Sequence, residues 1–219
     1  MQTVNTSKVE LLNILGNELT VVNAARVSFA KHVTVLSPTD IKLIQYLAKH
    51  KHWTPFAHVQ LSFRIACPIF VARQWTKSTV GVTRNEVSRR YVDTPPEYYL
   101  PQILHSRPTG NIKQGAGIEH PRGQAWLDSI RTIYTQCHEQ YLAMISDGIA
   151  PEEARMILPL AHFTEFYETG SLVYFARVCK LRLHNSVQKA TQELAEKISQ
   201  TIFPILPIAW KALQAQDIE

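Results

Sequence analysis

Apolar and polar positions alternate with period two across residues 59–67 (VQLSFRIAC), which predicts a half-buried strand. A looser alternation over residues 9–15 (VELLNIL) stops at Gly16-Asn17, a turn pair, and predicts a second strand. A third covers residues 162–168 (HFTEFYE) and is broken at Gly170. Elsewhere the period is helical. Ser37-Pro38-Thr39-Asp40 reads as a helix start, followed by Ile41, Ile44, Leu47 and Ala48 on one face. The basic run Lys49-His50-Lys51-His52 suits the negative end of that helix. Residues 18–29, rich in small and aliphatic side chains, also predict a helix, and Pro68 opens a short one over 69–75. Residues 124–147 predict a long amphipathic helix, with Trp126, Ile130, Ile133, Tyr134, Tyr141 and Ile145 as its apolar stripe. Pro151-Glu152-Glu153 opens another that runs to Leu158 and stops at Pro159. Residues 171–181 and 187–203 complete the set, with Pro204 and Pro207 breaking the last.

Strands and helices mix without βαβ alternation, so the chain predicts a single α+β domain over residues 1–219, with a mixed or antiparallel sheet. The polar passage 105–123, holding Gly110, Gly115, Gly117 and Gly123, is long for a structureless loop. It reads as a functional flap or a mobile insertion.

Composition narrows the class. At 219 residues, with 45% hydrophobic and 19% charged residues, the chain has an ordinary globular balance and ample length for a core. The net charge of +5 points to an anionic partner: nucleic acid, a nucleotide or a phosphorylated cofactor. Cys67, Cys137 and Cys179 are odd in number and form no Cys-x-x-Cys pair, which suggests buried thiols in a reducing compartment. The N-terminus has no signal-peptide pattern, and no apolar run is long enough to span a bilayer, so the expectation is a soluble, cytoplasmic protein without a membrane partner. His50, His52 and His58 lie close in sequence but lack metal-ligand spacing, and no metal is expected.

The chemistry concentrates between Arg73 and Tyr91. Lys77, Arg84, Arg89 and Arg90 are interleaved with hydroxyls from Ser78, Thr79, Thr83, Ser88 and Tyr91, and Glu86 is the only acid among them. Guanidinium forks, hydroxyls and freed backbone N–H groups together suit a phosphate. If the chain after Asn85 is extended, Glu86, Ser88 and Arg90 share one face and can grip both ends of a nucleotide. The competing reading is a solvated basic loop. Interleaved aromatic residues and the apolar run before the stretch favour a site. No Gly-x-Gly-x-x-Gly or Walker lysine loop is present, so side chains must do the holding.

In this stretch and around it, the residues resemble the flavin-dependent thymidylate synthases. The resemblance rests on Ala24-Ala25-Arg26-Val27-Ser28-Phe29, His52-Trp53-Thr54-Pro55-Phe56-Ala57-His58 and Pro68-Ile69-Phe70-Val71-Ala72-Arg73-Gln74-Trp75. It continues with Asn85-Glu86-Val87-Ser88-Arg89-Arg90-Tyr91, Ala154-Arg155-Met156-Ile157-Leu158-Pro159 and Leu181-Arg182. It implies a homotetramer of α+β subunits with sites shared between chains. The implied reaction moves a one-carbon unit from methylenetetrahydrofolate to C5 of dUMP, with hydride from reduced FAD and NADPH to re-reduce the flavin. No enzyme thiol attacks the pyrimidine in this family. By the resemblance, Gln74, Lys77, Glu86, Ser88, Arg90, Arg155 and Arg182 bind the pyrimidine nucleoside monophosphate, and Arg182 is the catalytic group at the ring edge. Ser28, His52, Thr54, Lys77, Ser78, Thr79, Glu86, Ser171 and Arg177 are the implied FAD contacts.

The chain also departs from the family. Lys77-Ser78-Thr79 stands where the family has Arg-His-Arg, and the stretch to Asn85 is one residue longer. After Arg182 the family's acid and histidine are replaced by Leu183-His184-Asn185-Ser186-Val187-Gln188, and Ser171, Val173 and Arg177 stand at further flavin positions. The nucleotide side is therefore kept and the flavin side rewritten. Either another set holds FAD, with Lys77, Arg84, Arg177 and His184 as candidates, or the chemistry has drifted. Drift would mean another pyrimidine nucleotide, hydroxymethyl transfer or lost activity. A reading from another class is a non-catalytic single-strand nucleic-acid binder stacking bases on Trp53, Trp75, Tyr91 and Tyr98. Glu86 within the basic stretch speaks against it, and no nucleic-acid partner is expected.

Overall fold

The clean alternation of residues 59–67 becomes the interior of a four-stranded sheet. The computed structural model describes residues 1–109 and 114–215. In chain order they form β1 (Gln2–Val4), β2 (Lys8–Leu15), α1 (Glu18–Arg26), α2 (Pro38–Lys49), α3 (Thr54–Ala57), β3 (Gln60–Pro68), α4 (Ile69–Trp75), β4 (Val82–Glu86), β5 (Glu97–Tyr99), α5 (Gly123–Ser146), α6 (Pro151–Ala154), β6 (Phe163–Ser171), α7 (Leu172–Arg182), α8 (Lys189–Ile202) and α9 (Pro207–Gln214). The sheet runs β2-β3-β6-β4 and is antiparallel throughout. β1 and β5 form a separate parallel pair. The α+β expectation holds.

Alternation sorts the side chains of β3. Leu61, Phe63, Ile65 and Cys67 are buried on one face, while Gln60, Ser62 and Arg64 lie on the other. Helix α7 packs on the apolar face with Leu172, Tyr174, Phe175, Val178 and Cys179 all buried, and Phe63 meets Phe175 edge to face at 5.0 Å. Each such large apolar side chain contributes about 1.5–3 kcal/mol through burial, which fixes the helix against the sheet. A smaller cluster of Tyr98, Tyr141, Ala154 and Leu158 seats α5 over α6. Helix starts follow the capping rules. Ser37 and Asp40 form a reciprocal box around Pro38 at the start of α2, and Asp40 also pairs with Arg26 from α1. The Ser37 hydroxyl first, and then Arg26, hold the Asp40 carboxyl below its ordinary range.

Several expectations shift. The strand β6 continues through Gly170 to Ser171 rather than breaking there. The helix expected over 18–29 ends at Arg26, and residues 27–29 tighten into a 3-10 turn. The helix opened by Pro151 lasts one turn before a 3-10 segment at Arg155–Ile157. Strand β4 ends at Glu86, and the chain turns at Ser88, whose carbonyl accepts from Tyr91 N and Val92 N. The extended face expected to unite Glu86, Ser88 and Arg90 therefore does not form. The described ends of the passage 105–123 pair with each other. His105 bridges Glu119, Ser106 N donates to Ile118 O at 2.8 Å, and Gly117 N donates to Ser106 O at 2.9 Å. Gly110 lies outside the described residues.

Candidate functional site

Helix α4 delivers neighbouring residues to different places. Trp75 is fully buried, and its indole N–H donates to Glu168 Oε1 at 2.9 Å. Glu168 is 0% exposed, on the inward face of β6, and also accepts from Tyr174 OH at 3.1 Å and pairs with Arg84 of β4. Buried beside that carboxylate, the Tyr174 hydroxyl has its pKa pushed well up, desolvation leading. Arg84 is thus tied to the core through Glu168, its own side chain 16% exposed. Its Nη2 reaches back to donate to Ser78 O at 2.8 Å. Arg177 Nη2 donates to Val80 O at 3.0 Å. The loop between α4 and β4 is held by its backbone, while the side chains of Lys77, Thr79 and Val80 are exposed. Gly81 closes it at φ +79°, and Gly170 leaves room beneath: a Cβ there would meet the Tyr174 ring at 2.6 Å and Gly81 O at 3.2 Å.

At the C-terminal end of α4, Gln74 enters a cleft of about 760 Å³ with Tyr99, Arg182 and Gln188 among its lining residues. Arg182, in the last turn of α7, donates through Nη2 to Gln74 O. The Gln74 side chain donates to Gln188 Oε1 and accepts from Thr191 Oγ1 at 3.3 Å. Arg182 Nε is buried and has no partner among the described residues. A guanidinium clamped on one arm with a buried N–H left over is poised for an acceptor brought by a ligand.

At the N-terminal end of α4, Ile69 borders a second cavity of about 400 Å³, lined also by Glu86, Val87, Ser88, Arg89, Arg155, His162, Phe163 and Thr164. The two cavities share no lining residue, and a seven-residue helix spans only about 10 Å. Thr164 Oγ1 donates to Glu86 Oε1 at 2.6 Å, and Val87 N donates to Glu165 O at 2.9 Å, fixing the end of β4. Arg155 Nε donates to Glu152 O at 3.2 Å. Arg90 points outward to Glu152 at 3.0 Å, each about half exposed, and its guanidinium lies 5.6 Å from the Tyr91 ring centroid. His162 Nδ1 lies 2.8 Å from Pro159 O. A carbonyl only accepts, so Nδ1 carries the hydrogen and Nε2 is an acceptor. Burial, with Arg89 adding to it, pushes the His162 pKa down, against the Pro159 hydrogen bond.

The predicted nucleotide residues thus fall into two groups, Gln74 and Arg182 at one end of α4 and Glu86, Ser88, Arg90 and Arg155 towards the other. Lys77, Ser78 and Thr79 lie on the loop that follows α4. Ser171 caps α7, its hydroxyl accepting from Tyr174 N at 3.1 Å. Ser28, His52 and Thr54 are exposed and line neither cavity; they lie by α1 and α3, and α3 packs against α7. Beside them Phe29 and Trp53 are exposed. Cation, hydroxyls, imidazole and apolar rings are the donor and contact types a flavin dinucleotide requires, so these residues fit one. Arg84 does not: its guanidinium is held by Glu168, Tyr174 and Ser78 O, and it leaves the candidate flavin set. Trp75 and Tyr98, offered as stacking platforms for bases, are fully buried and cannot serve that way. His162, Thr164 and Glu168 were missed by sequence reasoning. All three sit on or beside β6, whose alternation marked them only as strand positions; the buried charge of Glu168 was the available signal, because such a residue requires a partner.

Among the described residues no group of histidine, cysteine and acidic side chains could hold a metal ion, and no helix is long and apolar enough to cross a membrane.

Comparison with known proteins bears on the chain and its fold as a whole. The family model for thymidylate synthase complementing proteins matches residues 10–208. A flavin-dependent thymidylate synthase from Thermus thermophilus is 32% identical over 213 residues, spanning 96% of this chain and 77% of that protein. One from Thermosipho melanesiensis is 34% identical over 191 residues, spanning 87% and 82%. Among solved structures, the UMP/dUMP methylase PolB from Streptomyces cacaoi bound with 5-Br dUMP superposes with a TM-score of 0.89 at 25% identity, covering 98% of this chain and 97% of that one. On these matches the chain belongs to the flavin-dependent thymidylate synthase family.

Proposed function

We propose that this protein methylates C5 of dUMP to give dTMP, taking the one-carbon unit from methylenetetrahydrofolate, with FAD as cofactor and NADPH as reductant. The observation that carries the reading is Arg182, clamped through one arm to Gln74 O and presenting a buried, unpartnered Nε beside a cleft wide enough for a nucleotide. A fixed guanidinium at the pyrimidine edge stabilises negative charge as C5 becomes nucleophilic, and no reorganisation is required when the charge appears. Gln74 orients Arg182, and Gln188 and Thr191 orient Gln74. Arg90, Arg155 and Ser88 supply charge and hydroxyl for the phosphate, with Glu86 as an acceptor for a sugar hydroxyl.

Bound FAD supplies hydride chemistry, and Lys77, Ser78, Thr79, His52, Thr54, Ser28, Ser171 and Arg177 are the residues that would hold it. Two features support a reaction without an enzyme nucleophile. Cys67 and Cys179 are fully buried, and burial pushes both thiols far above the usual range. Cys137 lies on α5 and lines neither cavity. Because the two arginine groups sit at opposite ends of α4, and the flavin contacts lie on open surface, we assign the complete site to the meeting of copies in a homotetramer.

The similarity to a UMP/dUMP methylase makes UMP the second substrate to try. The experiment is a visible spectrum of the purified protein, followed by mass spectrometry of products from dUMP, UMP and dCMP with methylenetetrahydrofolate and NADPH. Flavin absorbance and a methyl gain on dUMP are expected. A hydroxymethyl gain, or reaction of UMP alone, would redirect the assignment. No flavin and no product would overturn it. A colourless protein whose affinity for single-stranded DNA falls steeply with salt would restore the binding-protein reading.

A further inference from the structure

The loop between α4 and β4 combines a tightly held backbone with unengaged side chains. Ser78 O accepts from Arg84, Val80 O accepts from Arg177, and Ser78 N donates to Trp75 O at 3.3 Å. Lys77 and Thr79 are exposed and have no hydrogen bond or ion pair among the described residues. The clamp is charged: Arg84 is itself held by Glu168, which is 0% exposed and receives Trp75 and Tyr174 as well. A buried ion pair is a poor device for stability alone, since well-packed apolar residues of similar volume often do as well. What apolar residues could not do is reach Ser78 O. Arginine's planar fork can hold Glu168 through Nε and Ser78 O through Nη2 at once, a geometry that the point charge of lysine lacks.

We infer that Arg84 and Glu168 are positioning residues: together they fix the backbone of residues 77–80 so that Lys77 and Thr79 are presented to the flavin without a further ordering step. The inference rests on the flavin assignment proposed above. It accounts for how a chain with Lys77-Ser78-Thr79 in place of two arginines and a histidine can still hold the cofactor. A shorter, weaker set of contacts binds usefully when the entropy of ordering has been removed beforehand. Gly170 and Arg177 complete the same support, the first lying under Gly81 O from the sheet and the second reaching Val80 O from α7.

The test is Arg84→Lys in the full-length protein stripped of flavin. Lysine keeps a cation beside Glu168 but gives up the second arm. Exchange of the Ser78 amide, the loop N–H that donates to Trp75 O, should quicken about tenfold relative to the rest of the chain, and the Kd for added FAD should rise about one to two orders of magnitude, the worth of one charged hydrogen bond. The KM for dUMP at saturating FAD should stay at the wild-type value. A purely structural role would instead lower the melting temperature and speed exchange throughout the sheet, with no excess in the loop, and would overturn the inference. Unchanged exchange and unchanged FAD affinity would overturn it too. If Arg84→Lys does not fold, Glu168→Gln keeps the volume and an acceptor for Trp75 and Tyr174, and is judged by the same two results. Wild-type protein that takes up no FAD would sink the cofactor assignment and this role with it. Faster exchange in the variant would then show only that the pair anchors the loop.

Discussion

At one end of α4 Arg182 is tied to a backbone carbonyl, and the glutamine bearing that carbonyl is tied to Gln188 and Thr191. At the other end Arg90 reaches through open solvent to Glu152, with both partners about half exposed. Exposed pairs of that kind contribute about 0–1 kcal/mol, so Arg90 can leave Glu152 for a better anion at little expense. The contrast separates two jobs. A group that must meet charge developing on a ring has to be in place beforehand, whereas one that grips a phosphate needs only charge and reach. The loop proposed to meet the cofactor follows the first pattern, with its own charged support under it.

The largest expected effect is at the fixed end. Arg182→Ala should lower kcat about 10²–10³-fold, the range seen on removal of one pre-aligned charge-stabilising donor, while the nucleotide Kd changes far less. Steady-state kinetics with dUMP, beside a direct binding titration, measures both. If the whole loss falls in binding and kcat survives, the two ends of α4 do the same job and the contrast fails.

Next comes the exposed end. Arg90→Ala should raise the nucleotide Kd by about one to two orders of magnitude, as for loss of a charged hydrogen bond, and leave kcat at saturation nearly intact. Binding by the unaltered protein should weaken with added salt, and the variant should show a shallower dependence. An unchanged titration curve would place the phosphate elsewhere.

How far these roles could be read from the chain depends on where each interaction is encoded. β3, α2 and the core face of α7 were legible because period and capping are local properties. Arg182 and Gln74 were legible only through resemblance, since their mutual hydrogen bond joins residues 108 positions apart. Arg84 was misread as a free cation because its partner Glu168 lies 84 positions further on, directly opposite it on the neighbouring strand. The expected face of Glu86, Ser88 and Arg90 failed because alternation describes a strand only while the strand lasts, and β4 ends at Glu86. His162 gave no signal at all: its importance comes from the Pro159 carbonyl on one side and Glu86 and Arg89 across the cavity.

His162 supplies the smallest effect and sharpens the comparison from inside the cavity at the exposed end. Its folded-state pKa lies below the ordinary value of 6.5, so the unfolded chain binds the proton more readily than the folded one. The stability this contributes is complete above about pH 6.5 and is lost as pH falls from there through the folded value. Melting temperature should therefore decline over that window by a few degrees at most for a chain of this size, and His162→Gln should flatten the decline. A phosphate in the cavity changes the sign of the local field. An anion near the ring favours the imidazolium, offsets Arg89 and raises the folded pKa towards the unfolded one. Saturating dUMP should then flatten the same acid limb in the unaltered protein and do nothing further in His162→Gln. A limb that keeps its slope with nucleotide bound would mean that the phosphate does not sit beside His162. The exposed cations at this end of α4 would then be surface charges rather than half of a site.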